Sequence, residues 1–184
     1  PYFNIKNYGH AGQIGFHDTY EEYINKLGNV WRECHRVLKP GSRLCINIGD
    51  QYTRTRDFGR YKTIPIHSDI IRSCEEIGFD YMGSIIWQKI STTKTTGGGC
   101  FRGSYPYPRN GMVTYDYEYI LIFKKLGKAE KIPKEIKAKS SLTKEQWIDY
   151  FTGHWKFPGV RQREHIAMFP DELPRRLIRM FSFR

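Results

Sequence analysis

The chain has 184 residues, long enough for one domain with a proper core and offering no clear second one. Thirty Lys and Arg against 19 Asp and Glu give a formal charge of +11, accompanied by 13 Tyr, 11 Phe and 4 Trp. No apolar run approaches a membrane-spanning length, no signal peptide is visible, and the four cysteines form no CxxC pair, so a membrane span and a zinc site are both disfavoured.

A basic surface interleaved with aromatic rings suits a polyanion whose bases stack, and nucleic acid is the first partner to consider. A merely solvated basic surface is the alternative. Three of the cysteines (Cys34, Cys45, Cys74) fall on apolar faces of predicted elements and read as buried free thiols, as expected of a soluble protein of a reducing compartment. The six histidines show no metal-ligand spacing, and no HxE with PCxxC is present, so no metal is expected and a zinc deaminase is disfavoured.

Residues 1–18, PYFNIKNYGHAGQIGFHD, are glycine-rich, aromatic and aperiodic, and read as a loop over a binding face. Thr19-x-x-Glu22 is a capping box, after which Tyr23, Leu27, Val30, Trp31, Cys34 and Leu38 recur at helical spacing. That helix should stop at Lys39, because Pro40-Gly41 cannot continue it. Arg43–Ile48 then reads as a short apolar strand ending in Gly49-Asp50. A helix feeding a buried strand through a tight turn is the repeating unit of an α/β sheet, in which ligands bind beyond the carboxyl ends of the strands. Asp50 therefore stands where it contacts a cofactor or target, or else caps its own backbone as a turn residue.

Residues 51–61, QYTRTRDFGRY, read as an exposed loop in which Arg54, Arg56 and Arg60 face a polyanion. A helix is expected over 68–77, with Ile70, Ile71, Cys74 and Ile77 inward and Gly78 as its stop. Residues 79–90 are strand-like; Trp87 there reads as core rather than as a base-stacking platform, and Lys89 sits at the strand end. The stretch 91–111 is a basic loop by its glycines, prolines and threonines, and Lys94, Arg102 and Arg109, with Tyr105 and Tyr107, suit contacts to phosphates and bases. A solvated loop is the alternative. Residues 115–124 resume as a strand, paired antiparallel with the preceding one. Residues 126–160 are lysine-rich with an aromatic cluster (Trp147, Tyr150, Phe151, Trp155, Phe157), expected as a subdomain or insertion. Asp171 caps a final helix whose Leu173, Leu177, Ile178 and Phe181 face a core. The chain begins at Pro1 rather than Met and ends just after an amphipathic run, so both ends read as cut.

Five segments in order, Pro1-Tyr2, VLKPGSRLCINIGD, GFDYMGSIIWQK, YEYILIFKK and HIAMFPDELPRRLIRMFSF, resemble the β group of the amino-group DNA methyltransferases, which modify cytosine N4 or adenine N6. The resemblance implies an α/β, Rossmann-like S-adenosylmethionine-dependent methyltransferase fold, incomplete at both ends, with a small target-recognition insertion. It implies a catalytic α/β region over 1–125, a target-recognition segment over 126–160, and a helix over 161–184 that returns to the cofactor side. Pro1 and Tyr2 match the third and fourth residues of the family's Ser- or Asp-Pro-Pro-Tyr signature, which makes them the catalytic candidates, with the Tyr2 ring stacking on a base flipped out of the duplex.

His165, Phe169 and Pro170, with Asp50, are implied as cofactor-binding, although Ile166 stands where the family often has proline. Phe169-Pro170 also reads as a plain helix lead-in. The family's glycine-rich S-adenosylmethionine loop is not among these residues, and Gly97-Gly98-Gly99 does not replace it because it opens no helix. Double-stranded DNA is the implied partner, and a cognate restriction endonuclease or a second chain completing the cofactor pocket is a further possibility. The setting is the prokaryotic cytoplasm, without a membrane. The INIGD strand end and the arginine loop after it resemble the Ser-type members more closely, so cytosine N4 is favoured over adenine N6. A non-catalytic nucleic-acid-binding partner of a split enzyme is the alternative from another class.

Overall fold

Strand β5 (Tyr117–Lys125) is the centre of the molecule, with Ile120 to Phe123 all buried. An uninterrupted apolar run of this kind belongs to a strand covered on both faces. The computed structural model describes residues 2–53, 55–89, 103–160 and 168–183. In it β5 lies between β1 (Arg43–Ile48) and β4 (Phe79–Gln88), antiparallel to both, and the short β6 (His154–Lys156) joins the far side of β4 in parallel. Strands β1, β4 and β6 therefore all run the same way. A separate two-stranded hairpin, β2 (Gln51–Tyr52) with β3 (Thr63–Ile64), encloses a single-turn helix α2 (Thr55–Phe58) where the sequence suggested only a loop.

One face of the sheet is covered by α1 (Tyr20–Val37) and α3 (Ile66–Ile77). Tyr23, Leu27 and Trp31, one helical row of α1, pack with Ile66, Ile70 and Cys74 of α3 against Ile46, Ile48, Leu121 and Phe123. Val30, expected inward, is exposed, because only that narrower row meets the sheet. The capping box is present at Thr19 and Glu22, and at the other end the Lys125 ammonium donates to the carbonyls of His35 (2.5 Å) and Leu38 (2.8 Å). A cation on those orphan carbonyls closes α1 where Pro40 stops it. The helix α3 begins at Ile66, two residues before the expected start, and ends at Gly78 as anticipated.

The other face carries a second core of Ile85, Trp87, Ile120, Ile122, Trp155 and Leu173, closed by α6 (Glu172–Phe181). Segment 126–160 supplies α4 (Lys134–Lys139), α5 (Lys144–Tyr150) and β6. It does not stand apart, because β6 is a strand of the main sheet and Tyr150 and Trp155 are buried beside it. The Arg176 guanidinium lies over the rings of Tyr150, Trp155 and Phe157 at 5.1–5.3 Å and pairs with Glu172 (2.7 Å) and Asp149 (2.9 Å). Ile178, expected inward, is instead exposed, and Asp171 makes no side-chain cap. Cys74 is buried, and burial pushes its thiol up to about 12; Cys45 is pushed up to about 11 by the same cause, so both stay protonated and inert near neutrality. Among the described residues no helix is long and apolar enough to cross a membrane.

The strand β4 serves both cores only because it is interrupted. Phe79 and Tyr81 pack on the α1/α3 side, yet Ile85 and Trp87, of the same parity, pack on the α6 side. The register slips by one residue between Tyr81 and Ser84, a bulge in which Gly83 has φ +105°. A Cβ at position 83 would meet nothing within 4 Å, so the cost of replacing it is conformational alone. Gly83→Ala should lower stability by about 1–2 kcal/mol, and Gly83→Asn by less, as read from urea midpoints at unchanged slope.

Candidate active site at the strand ends

Because β5 opposes its neighbours, its first residues meet the carboxyl ends of β1 and β4 at a single edge. Three consecutive side chains of the N-terminal segment are fastened there. The Tyr2 hydroxyl donates to the Glu118 carboxylate, Phe3 is buried against Tyr20 and Tyr23 (centroids 5.5 and 5.0 Å), and Asn4 Oδ1 accepts from Gln51 Nε2 at 2.7 Å. Gly15 closes over this segment: a Cβ on it would come within 2.9 Å of the Tyr23 ring and 3.2 Å of the Tyr2 carbonyl, at φ +95°. Only glycine fits that approach.

Glu118 is 6% exposed and is the hub of the edge. Besides the Tyr2 hydroxyl its carboxylate accepts from the Lys89 ammonium and, at 2.7 Å, from Asn47 Nδ2. Lys89 lies one residue past β4 and Asn47 one residue before the end of β1, so the carboxylate ties together two strands and the N-terminal segment. Lys89 also sits 4.9 Å from the Trp87 ring centroid, and its backbone N–H donates to the Asp116 carbonyl at 2.8 Å. Burial and then the adjacent Glu118 charge push the Tyr2 phenol far above its ordinary value, so it remains a donor to that carboxylate. A carboxylate this buried persists only with such partners.

Asp50 lies just past β1 and has partners of its own. Its carboxylate accepts from the backbone N–H of His67 (3.2 Å), capping α3, and contacts His67 Nδ1 at 2.7 Å. The His67 ring stacks on Tyr119 at 4.1 Å and 17°. Asp50 is thus a cap of α3 rather than of its own turn. The line of rings continues from Tyr119 through Tyr117 and Tyr115 to Tyr52, each step 5.0–5.7 Å.

Of the other candidates, Trp87 is 2% exposed, as expected of core. Phe169 is exposed, while Pro170 is buried at the foot of α6. Arg56, Arg60 and Arg109 are exposed, as are Tyr105 and Tyr107. Pro1, Arg54, Lys94, Arg102 and His165 lie outside the described residues. Sequence reasoning missed Glu118, Asn47 and His67 and gave Lys89 no role. The available signal was the lone carboxylate in the aromatic-aliphatic strand run YEYILIF, since a charge in a buried strand requires a partner.

The fold resembles that of TTHA0409 from Thermus thermophilus, whose name assigns it to the DNA modification methylases, in its complex with S-adenosyl-L-methionine. The TM-score is 0.74 at 37% identity, covering 93% of this chain and 63% of that one. The edge-fastened Tyr2 segment is therefore set on an α/β fold of the methyltransferase class. The N6/N4 methyltransferase family model, described as DNA methylase, matches residues 1–184, and the chain belongs to that family.

Among its relatives, the Type II methyltransferase M.MjaI of Methanocaldococcus jannaschii is 43% identical over 160 residues, covering 83% of this chain. The Type II beta methyltransferase M.BslI of Bacillus sp. (strain NEB-606) is 28% identical over 193 residues, covering 99% of this chain. The chain spans 50% of the length of the first and 20% of the second.

Glu118→Ala removes the carboxylate that the Lys89 ammonium and the Asn47 amide share. Because Lys89 keeps 24% of its side chain in water, the expected loss is about 2–4 kcal/mol, below that of a fully buried pair. Urea unfolding measures it, and the joint change Glu118→Leu with Lys89→Met should recover part of the loss.

Proposed function

We propose that this chain is the catalytic part of a DNA methyltransferase that moves a methyl group from S-adenosylmethionine to the exocyclic amine of a base flipped out of the duplex. Cytosine N4 is the favoured target and adenine N6 the second. The observation that carries the reading is Tyr2, held by Glu118 beyond the carboxyl ends of β1 and β4, the edge where α/β sheets bind their ligands.

An exocyclic amine is a poor nucleophile because its lone pair is conjugated into the ring. Acceptance of its protons by a backbone carbonyl of the Pro1-Tyr2 loop and a neighbouring side chain favours a pyramidal nitrogen that attacks in line. The Tyr2 ring stacks on the extruded base, and its hydroxyl, committed to Glu118, fixes the plane of that stack. Phe3 and Asn4 stop the segment from sliding along the edge.

S-adenosylmethionine supplies an electrophilic methyl group on a sulfonium. Two buried acceptors at this edge, Asn47 Oδ1 and Gln51 Oε1, have no protein partner among the described residues, which suits the amino groups of such a cofactor. Asp50 acts there through His67 and α3, with His165, Phe169 and Pro170 assigned by resemblance. Arg54, Arg56, Arg60, Lys94, Arg102 and Arg109 provide the phosphate contacts. The setting is restriction–modification in a prokaryotic cytoplasm, with a cognate endonuclease or a second chain completing the cofactor pocket as partner. Segment 126–160 contributes to target recognition.

The test is methyl transfer from labelled S-adenosylmethionine to mixed-sequence DNA, followed by digestion and identification of the modified nucleoside. N4-methylcytosine is expected; N6-methyladenine would retain the family and replace the base. DNA binding without transfer would favour a non-catalytic partner of a split enzyme. Tyr2→Ala should reduce transfer at least ~100-fold, the loss of both the stacking ring and its hydroxyl. Tyr2→Phe, which keeps the ring and loses the Glu118 bond, should fall within about tenfold of the native rate, the equivalent of one hydrogen bond.

A further inference from the structure

An open cleft of about 280 Å³ lies between the β2–β3 hairpin and the lead-in to β5, lined chiefly by Tyr52, Tyr61, Lys62, Met112, Val113 and Tyr115. Its size is just below that of pockets holding whole drug-sized ligands, which run from about 300 Å³ upward. One wall is the stacked pair Tyr52–Tyr115 (5.0 Å, 30°). Tyr61 and Val113 are each 70% exposed at its mouth, and the Lys62 ammonium stands 5.3 Å over the Phe58 ring at the rim. Flat rings and aliphatic groups with one cation at the edge, and no acidic residue among the described lining, suit a planar apolar group carrying a nearby negative charge. A nucleotide has that chemistry, and the chain's charge of +11 fits a polyanionic strand.

The cleft is distinct from the Tyr2–Glu118 edge but tied to it. Tyr115 precedes Glu118 by three residues, at most about 10 Å of extended chain, which is about three base-pair steps of DNA. The ring line Tyr115–Tyr117–Tyr119 spans the same interval.

We infer that this cleft is a second nucleotide site: it stacks one base of the strand within about three nucleotides of the target base and holds that nucleotide's phosphate on Lys62. The inference rests on the DNA methyltransferase reading. Stacking tolerates every base, so the site adds affinity and holds the strand while the target is flipped, without reading sequence.

Duplexes of mixed sequence with 5-iodouracil in place of thymine, irradiated with the full chain, test this by the positions of the cross-linked peptides. Cross-links at Tyr61 or Tyr115 are expected. In parallel, Tyr61→Ala should weaken DNA binding about 5- to 150-fold, the worth of one stacked base, while Tyr61→Phe binds like the native chain. Lys62→Ala should lower the slope of log affinity against log salt by about one. Tyr61 is largely in water, so its variants should keep the native melting curve, which is checked alongside. Cross-links confined to Tyr2 or to Tyr105 and Tyr107, with native binding by Tyr61→Ala, would overturn the cleft while leaving the methyltransferase reading in place. A native chain that neither binds DNA nor transfers methyl groups would overturn both.

Discussion

The direction of β5 decides where everything else can meet. It runs against β1, β4 and β6, so Tyr117 and Glu118 emerge at the edge where β1 and β4 finish. Reversed, a nine-residue strand would carry Glu118 about 20 Å toward the opposite edge, away from Tyr2, Asn47 and Lys89. Antiparallel insertion thus turns a carboxylate into a fastening point for two strand ends and a loop. It also buries β5 between two neighbours and two faces, which is why four consecutive apolar residues suit it.

A buried carboxylate is an expensive way to hold a loop if stability is all that counts, since an apolar cluster of the same volume often does as well. What Glu118 adds is direction: three donors approach it from three elements and fix the phenol of Tyr2 in one orientation. Asp50 does the same for His67 with a backbone N–H and a ring nitrogen, and His67 in turn backs Tyr119. Hydrogen bonds thus fasten both Tyr2 and His67 at this edge. By contrast, Arg56, Arg60 and Tyr61 of the hairpin region and Tyr105, Tyr107 and Arg109 of the loop before β5 are exposed.

Local chemistry was legible wherever one element decided the outcome. The Thr19-Glu22 box, the Pro40 stop, Gly78 and the helical row Tyr23-Leu27-Trp31 depend on neighbours within a turn or two, and each is where the residues place it. The antiparallel pairing of β4 with β5 was legible too, from two aromatic and β-branched runs across a loop. The bulge at Gly83 was not, because a glycine in a strand does not say which face the following residues must serve. Val30 and Ile178 were misplaced for a related reason: periodicity gives the apolar stripe, but only the width of the opposing surface says how much of it is covered.

The sequence by itself determined the α/β class, the basic and aromatic character, the elements flanking Gly49-Asp50, and, through five ordered segments, the family to which the chain belongs. Those follow from composition, short-range periodicity and local motifs. Tertiary structure alone decided that Tyr2 and Glu118, 116 positions apart, share a hydrogen bond, that β6 joins the main sheet, and that Tyr52 and Tyr115 form one wall of a cleft. Such contacts come from strand order and direction. No local propensity encodes them, because the free energy that selects them is the burial of both faces of the sheet together.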